Sequence, residues 1–425
     1  MEVNKFKERK EYPLKHLFDG SDLNVYESNY INLSAGTPNE ILLGKCNQLF
    51  EAATKHLLKY EAANHSYIFQ YGPTCGTYSF RTKLAEFLSK QYQWNVDAAD
   101  LVLTAGASYG LLVILSTLMD LNGVVFLDEA TYMIALESIS DFNTLKIVPV
   151  KLNDDGVDLI DLEEKIVKHK FKHGGSKMFW GCYYTMPTYH NPTSIVFSEG
   201  TCQTIIRIAR KHDLLIVCDD VYNILHYDDD ISPKRLFAYD SMDDNDYKGH
   251  VISNGTFSKI LAPGVRVGWM ECPPRITKAF QNSGFLKSGG GISNYASGVI
   301  TSMIETGKLE EHVQECWHSY KSQRDALVHA LTEYLPQNCS FLKPRGGYFI
   351  WIKLPDHIDG EKMCEFILKN YKVFIIRGSR FSIENKLRNY VRISFAFHVP
   401  EILSKAGKLL CSGIEDYLAA HTTHE

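Results

Sequence analysis

Short apolar runs, each closed by a polar residue, recur through the middle of the chain with amphipathic stretches between them. Leu101-Val-Leu-Thr, Val124-Val-Phe-Leu-Asp, Lys146-Ile-Val-Pro-Val, Met178-Phe-Trp-Gly-Cys-Tyr, Leu214-Leu-Ile-Val-Cys-Asp and His250-Val-Ile-Ser read as strands. Helical spacing of apolar residues predicts helices from Gly106 to about Leu121, from Tyr132 onward, over 159–169 and over 198–211. Strands apolar at every position are buried on both faces, and strand–helix alternation produces a mostly parallel sheet flanked by helices. The expected fold class is therefore α/β, with a large sheet domain.

The flanks carry a different pattern. Ile31-Asn-Leu-Ser-Ala-Gly36-Thr-Pro38 is a short strand running into a Gly/Pro turn. A helix follows from Leu42 to Tyr60, then a loop rich in Gly and aromatics (67–76) and an amphipathic helix over 77–92. Phe285-Leu-Lys-Ser-Gly-Gly-Gly291 reads as a hinge, followed by a long helix from Leu309 to Leu335. Arg345-Gly-Gly347 turns into a strand, and Tyr390-Val-Arg-Ile-Ser-Phe-Ala-Phe alternates as a sheet edge would. These pieces predict a smaller α+β domain. The expected division is an N-terminal segment over 1–64 packed on the small domain, a large domain over 65–288 and a small domain over 289–425.

Composition narrows the partners. Of 425 residues, 45% are hydrophobic and 22% charged, and the formal net charge of −5 offers no electrostatic case for nucleic acid or an anionic membrane. The apolar run from Gly110 to Met119 is too short to span a bilayer, and the first ten residues lack the apolar core of a signal peptide. Ten scattered cysteines without a Cys-x-x-Cys pair read as small buried hydrophobes in a reducing compartment, so a cytoplasmic protein, also nuclear in one reading, is expected. Neither metal-binding His or Cys spacing nor a nucleotide-binding glycine loop occurs, so no metal is expected.

Ligands of open α/β sheets sit beyond the carboxyl ends of the strands. Gly106, Asp128, Tyr184, Asp219 and Thr256 fall there. The densest chemistry lies in Thr256-Phe-Ser258-Lys259-Ile-Leu-Ala-Pro263-Gly264-Val-Arg266-Val-Gly268. Two hydroxyls and an arginine suit a phosphate, and a desolvated lysine beside them loses its proton and can form an imine. Gly106-Ala107-Ser108 opens a helix whose free N–H groups also favour phosphate, although a plain cap reads the same way. Asp219 at a strand end could hold a proton on a ring nitrogen, Tyr222 follows three residues on, and Tyr132 could stack on a flat ring. Asn191 precedes Pro192 in what is at least a turn.

Taken in this order along one sheet, the residues resemble fold-type I pyridoxal 5′-phosphate enzymes of the class I/II aminotransferase family, over Gly36 to Arg392. The most specific motif is Ser258-Lys259 followed by Pro263-Gly264-x-Arg266-x-Gly268. The Asn-x-Leu-Ser-Ala-Gly-Thr-Pro opening and Phe-Ser-Lys-Ile look most like the kynurenine/2-aminoadipate aminotransferase branch. The resemblance implies that Lys259 forms the imine with pyridoxal phosphate and shuttles the substrate proton, while Asp219 pairs with the ring nitrogen. It implies that Tyr222 and Asn191 hold the phenolic oxygen, that Tyr132 stacks on the ring, and that Gly106, Ala107, Ser108, Thr256, Ser258 and Arg266 hold the phosphate. Arg392 would take the substrate α-carboxylate beside the Gly36 backbone, with Asn191 also counted among the substrate-binding residues. Tyr71 would reach the phosphate of a neighbouring subunit, so a homodimer with shared active sites is implied. Thr256 stands where a serine is usual, and Ser194 where a glycine is usual. The implied reaction is amino transfer between an L-amino acid (2-aminoadipate, aromatic or similar) and a 2-oxo acid such as 2-oxoglutarate. A pyridoxal phosphate-dependent lyase, a 1-aminocyclopropane-1-carboxylate synthase-like enzyme and, below these, a non-enzymatic ligand-sensing protein are the alternatives on the same fold.

Overall fold

A computed structural model describes residues 29–421 apart from 172, 173, 176, 229, 290 and 291. In chain order the elements used below are β1 (Ile31–Asn32), α1 (Glu40–Ala63), α2 (Tyr78–Tyr92), β2 (Leu101–Thr104), α3 (Ala107–Leu118), β3 (Met119–Asp128), α4 (Met133–Ser140), β4 (Lys146–Val150), α5 (Leu159–His169), β5 (Phe179–Thr185), α6 (Glu199–His212), β6 (Leu215–Asp219), β7 (Val251–Thr256) and β8 (Gly268–Glu271). They continue with α7 (Pro274–Gln281), α8 (Asn294–Glu305), α9 (Lys308–Tyr334), β9 (Ser340–Phe341), β10 (Phe349–Lys353), α10 (Gly360–Tyr371), β11 (Val373–Phe374), β12 (Ile376–Arg377), β13 (Tyr390–Ser394) and α11 (Pro400–Ala420).

The large sheet has seven strands in the order β2-β8-β7-β6-β5-β3-β4. Only β8 runs antiparallel to its neighbours, so the sheet is mostly parallel as the alternation predicts. Its strands are apolar throughout because both faces are covered. Cys182, Leu215 and Ile252 face the layer of α3, α4 and α7, while Tyr183, Ile216 and Val251 face the layer of α5 and α6. Helix starts are set locally: Thr77 Oγ1 accepts from the Phe80 N–H, Asp158 from Ile160 and Asp161, and Ser198 from Thr201.

A second sheet has the order β9-β10-β13-β12. The N-terminal β1 pairs in parallel with β11, Ile31 beside Val373. Two expectations are corrected. β13 is an interior strand, paired on both sides, because the polar positions of its alternation, Arg392 and Ser394, are buried rather than facing water. The glycine-rich stretch read as a hinge is a short helix over 284–289, with Gly290 and Gly291 outside the described residues. Its serine, lysine and phenylalanine tolerate a helical turn that the glycine count obscures.

All ten cysteines are free, and nine are buried. No helix among the described residues is long and apolar enough to cross a membrane.

Candidate active site

The carboxyl ends of β2, β5, β6 and β7 open onto one cleft of about 400 Å³, closed on its other side by residues 34–36 and by β10, β11, β12 and β13. Gly268 sits between Thr104 and Thr256 in register. A Cβ there would lie 2.8 Å from the Gly106 Cα and 2.6 Å from the Gly255 carbonyl, so only glycine lets the helix start sit this close to the sheet.

Gly106 has φ of +95° and leads into α3 without a side-chain cap. The first N–H groups of α3 therefore remain available where Ala107 and Ser108 line the cleft. Arg266 reaches the same place: its guanidinium donates to the Ala105 carbonyl at 3.2 Å and the Pro263 carbonyl at 2.8 Å, and lies 3.4 Å from Ser258 Oγ. Thr256 Oγ1 donates to Ser258 Oγ at 2.9 Å and accepts from the Ser258 N–H at 3.1 Å. Two hydroxyls, an exposed guanidinium and a helix start form a cup for a dianion.

Lys259 projects from the loop after β7 and donates from Nζ to the Gly36 carbonyl at 2.7 Å. Burial of the amine, reinforced by the Arg392 charge, brings it down from 10.5 to about 8. A substantial fraction of the neutral, nucleophilic form thus exists near neutral pH.

Asp219 ends β6 with 7% of its surface exposed. Oδ2 accepts from Tyr184 Oη at 2.7 Å, whereas Oδ1 is buried and has no partner. Burial raises its carboxyl from 3.8 to about 6, against the Tyr184 hydrogen bond, with the Asp220 charge adding to the rise. A buried carboxylate oxygen aimed into a cleft without a donor is the half of an ion pair that a protonated ring nitrogen would complete.

Arg392 is 2% exposed and stacks 3.9 Å above the Phe349 ring. It donates to the Ser34 carbonyl at 2.7 Å and to Asn191 Oδ1 at 3.1 Å, leaving Nε buried without a partner. Its burial lowers the guanidinium to about 10. Tyr132 and Tyr222 line the cleft as well, and burial drives both phenols up, Tyr132 to about 12.

The structure thus brings Gly36, Ala107, Ser108, Tyr132, Asn191, Asp219, Tyr222, Thr256, Ser258, Lys259, Arg266 and Arg392 to one cleft, with Gly106 packed against Arg266. Tyr71 is apart from them: it is 81% exposed and lines a separate groove with Tyr67 and Asn294. Sequence reasoning did not give roles to Tyr184, which orients Asp219, to Phe349 under Arg392, or to Asn254, whose Nδ2 donates to the Ala107 carbonyl at 2.8 Å and fixes the helix start. Tyr184 stood at a strand end and was detectable there; Phe349 carried no sequence signal. No group of three or more metal-ligating side chains occurs among the described residues.

The family model for aminotransferase class I and II matches residues 28–407. The chain belongs to that family. It is 29% identical to the aromatic-amino-acid aminotransferase 1 of Thermococcus litoralis over 393 residues, covering 92% of this chain and 89% of that one. It is 24% identical to the 2-aminoadipate transaminase of Thermus thermophilus, covering 82% of each. The crystal structure of Pyrococcus horikoshii kynurenine aminotransferase superposes with a TM-score of 0.80 at 29% identity, covering 98% of this chain and 95% of that one. This class I/II aminotransferase is a pyridoxal 5′-phosphate-dependent transaminase of fold type I. The unpartnered Asp219 oxygen and the cup at Gly106 and Arg266 fit the ring nitrogen and the phosphate of that cofactor.

One consequence is measurable without the cofactor. Because the folded Asp219 titrates near 6 and the unfolded one near 3.8, its ionised form costs the cofactor-free fold on the order of 2–3 kcal/mol above pH 6. Asp219→Asn is therefore expected to melt a few degrees above the cofactor-free wild type at pH 7 and higher. The gap closes as pH falls from 6 to about 4, where the wild-type fold takes up the proton. Thermal denaturation across pH checks this; an Asn variant less stable than wild type at pH 7 contradicts the strain assigned to Asp219.

Proposed function

We propose that this aminotransferase moves an amino group between an L-amino acid with a large side chain, 2-aminoadipate or an aromatic one, and a 2-oxo acid such as 2-oxoglutarate. The observation that carries the reading is the convergence of two cations on one short turn. Lys259 holds the Gly36 carbonyl and Arg392 the Ser34 carbonyl, each at 2.7 Å. An amino acid whose α-carboxylate replaces the Ser34 contact on Arg392 presents its α-carbon beside the Lys259 amine. The Asn191 amide helps hold that guanidinium. Relatives named for aromatic amino acids, kynurenine and 2-aminoadipate support this substrate class.

Pyridoxal phosphate, when bound, supplies an aldehyde for the amine and an electron-withdrawing ring. In this reading Gly106, Ala107, Ser108, Thr256, Ser258 and Arg266 hold its phosphate, and Tyr132 lies against its ring. Asp219 keeps a proton on the ring nitrogen, while Tyr222 and Asn191 hold its phenolic oxygen. Lys259 takes up and returns the substrate α-proton, which its lowered pKa suits. Tyr71 belongs to the neighbouring subunit's cup, which accounts for its exposure beside exposed Tyr67, Phe69 and Tyr78. The homodimer this requires is checked by sedimentation: a mass of one 48.3 kDa chain would remove the role given to Tyr71.

The test of the reading is a half-reaction screen. Single amino acids are mixed with the cofactor-loaded enzyme, and the bound cofactor's absorbance is followed as it accepts the amino group. Conversion by 2-aminoadipate or aromatic donors, reversed by 2-oxoglutarate, is expected. Release of ammonia or pyruvate without that reversible conversion would point to elimination and refute amino transfer.

A further inference from the structure

Among the described residues lining the cleft four are cations: Lys259, Arg266, Arg380 and Arg392. The proposed function uses three of them. Arg380 stands in the short 3₁₀ turn Gly378–Phe381 that follows β12. Its backbone is fixed on both sides: Ser379 is buried, and the Phe381 carbonyl accepts from the Thr131 N–H at 2.9 Å. Phe381 is fully buried with its ring 5.0 Å from the Arg392 guanidinium, so the turn carrying Arg380 is seated against the arginine that the α-carboxylate would engage.

The Arg380 side chain is otherwise lightly held. It is 43% exposed, and its one ion pair is a single contact of 3.3 Å to Glu137 on α4, itself 61% exposed. Exposed monodentate pairs contribute little, about 0–1 kcal/mol. A ligand carboxylate able to engage the guanidinium with both oxygens outcompetes such a partner. The cleft that Arg380 lines also has an apolar wall to which Leu111, Met133, Ala135, Phe374 and Ile376 contribute. That wall suits the methylene chain between two carboxylates.

We propose that Arg380 is the specificity residue for dicarboxylate substrates: it binds the distal carboxylate of the amino acid or 2-oxo acid whose α-carboxylate sits on Arg392. Glu137 neutralises the guanidinium when the substrate brings no second carboxylate. The proposal rests on the assignment of Arg392 above, and deepens it by naming the acidic substrate class and the group that selects it.

The experiment measures binding rather than turnover. The cofactor-loaded enzyme is titrated by calorimetry with two unreactive acids, glutarate and hexanoate, in wild type, Arg380→Met and Arg380→Lys. Wild type is expected to bind glutarate more tightly. Arg380→Met is expected to weaken glutarate about 10- to 100-fold, the effect of losing charge-assisted hydrogen bonds, and to shift hexanoate by less than about twofold. Arg380→Lys is expected to recover part of the loss, since it keeps the charge without the fork. Both positions are exposed, so loss of the pair leaves Glu137 solvated and the fold intact. The assignment is overturned if wild type shows no preference for glutarate, if Arg380→Met leaves glutarate unchanged, or if both acids weaken equally. A wild type that turns over aromatic donors while showing no glutarate preference refutes Arg380 alone. Failure to turn over any amino donor refutes the amino-transfer reading instead.

Discussion

Lys259→Ala is expected to lose turnover with every amino donor by more than about 10,000-fold, the scale of removing a positioned base that is also the nucleophile. The same variant should lack the near-visible absorbance of lysine-linked cofactor. Its fold should survive, because the amine's one direct hydrogen bond is to the Gly36 carbonyl and a desolvated cation is more a burden than a support. Cofactor should still bind through the cup at Gly106, Thr256, Ser258 and Arg266, which Lys259 does not build. A soluble variant that melts like wild type and keeps its turnover would falsify the role of Lys259.

Arg392→Ala is the second large effect. A buried guanidinium that engages a carboxylate is worth about 2–5 kcal/mol when truncated, so kcat/KM should fall roughly 30- to 5,000-fold for all amino donors alike. The uniformity is the informative part, since the α-carboxylate is common to all of them. Arg392→Lys should recover little: lysine cannot reproduce the two directions in which the guanidinium reaches Ser34 and Asn191, nor its stacking on Phe349. Loss confined to acidic donors would move Arg392 into the side-chain pocket and leave the α-carboxylate without its partner.

Much of the fold was legible because its central strands are covered on both faces. Leu215 to Asp219 and Phe179 to Thr185 are buried at every position, which leaves continuous apolar runs that end at the cleft. The polar residue closing the first of those runs was legible for the same reason: Asp219 is the first polar group past the apolar interior of its strand. Direction and neighbours were not. Gly268 to Glu271 is as apolar as the parallel strands, and nothing in that run says it lies antiparallel between β2 and β7. Tyr390 to Ser394 alternates whether its polar face meets water or a polar cleft, so its interior position was hidden. Pairings across long stretches were hidden as well: Arg380 meets Glu137 across 243 residues, and each alone is an ordinary surface charge. Tyr184 is intermediate, a tyrosine at a strand end whose phenol finds Asp219 only once β5 and β6 are aligned.

The contact between Arg392 and the Ser34 carbonyl joins residues 358 apart in the chain. During synthesis the stretch from Gly106 to Arg266, with the cup and Asp219, leaves the ribosome well before β13 does. The cleft residues from Ala107 to Arg266 are therefore all synthesised before Arg392 can return to the N-terminal turn, and the Arg392 contact is the last of these to become available.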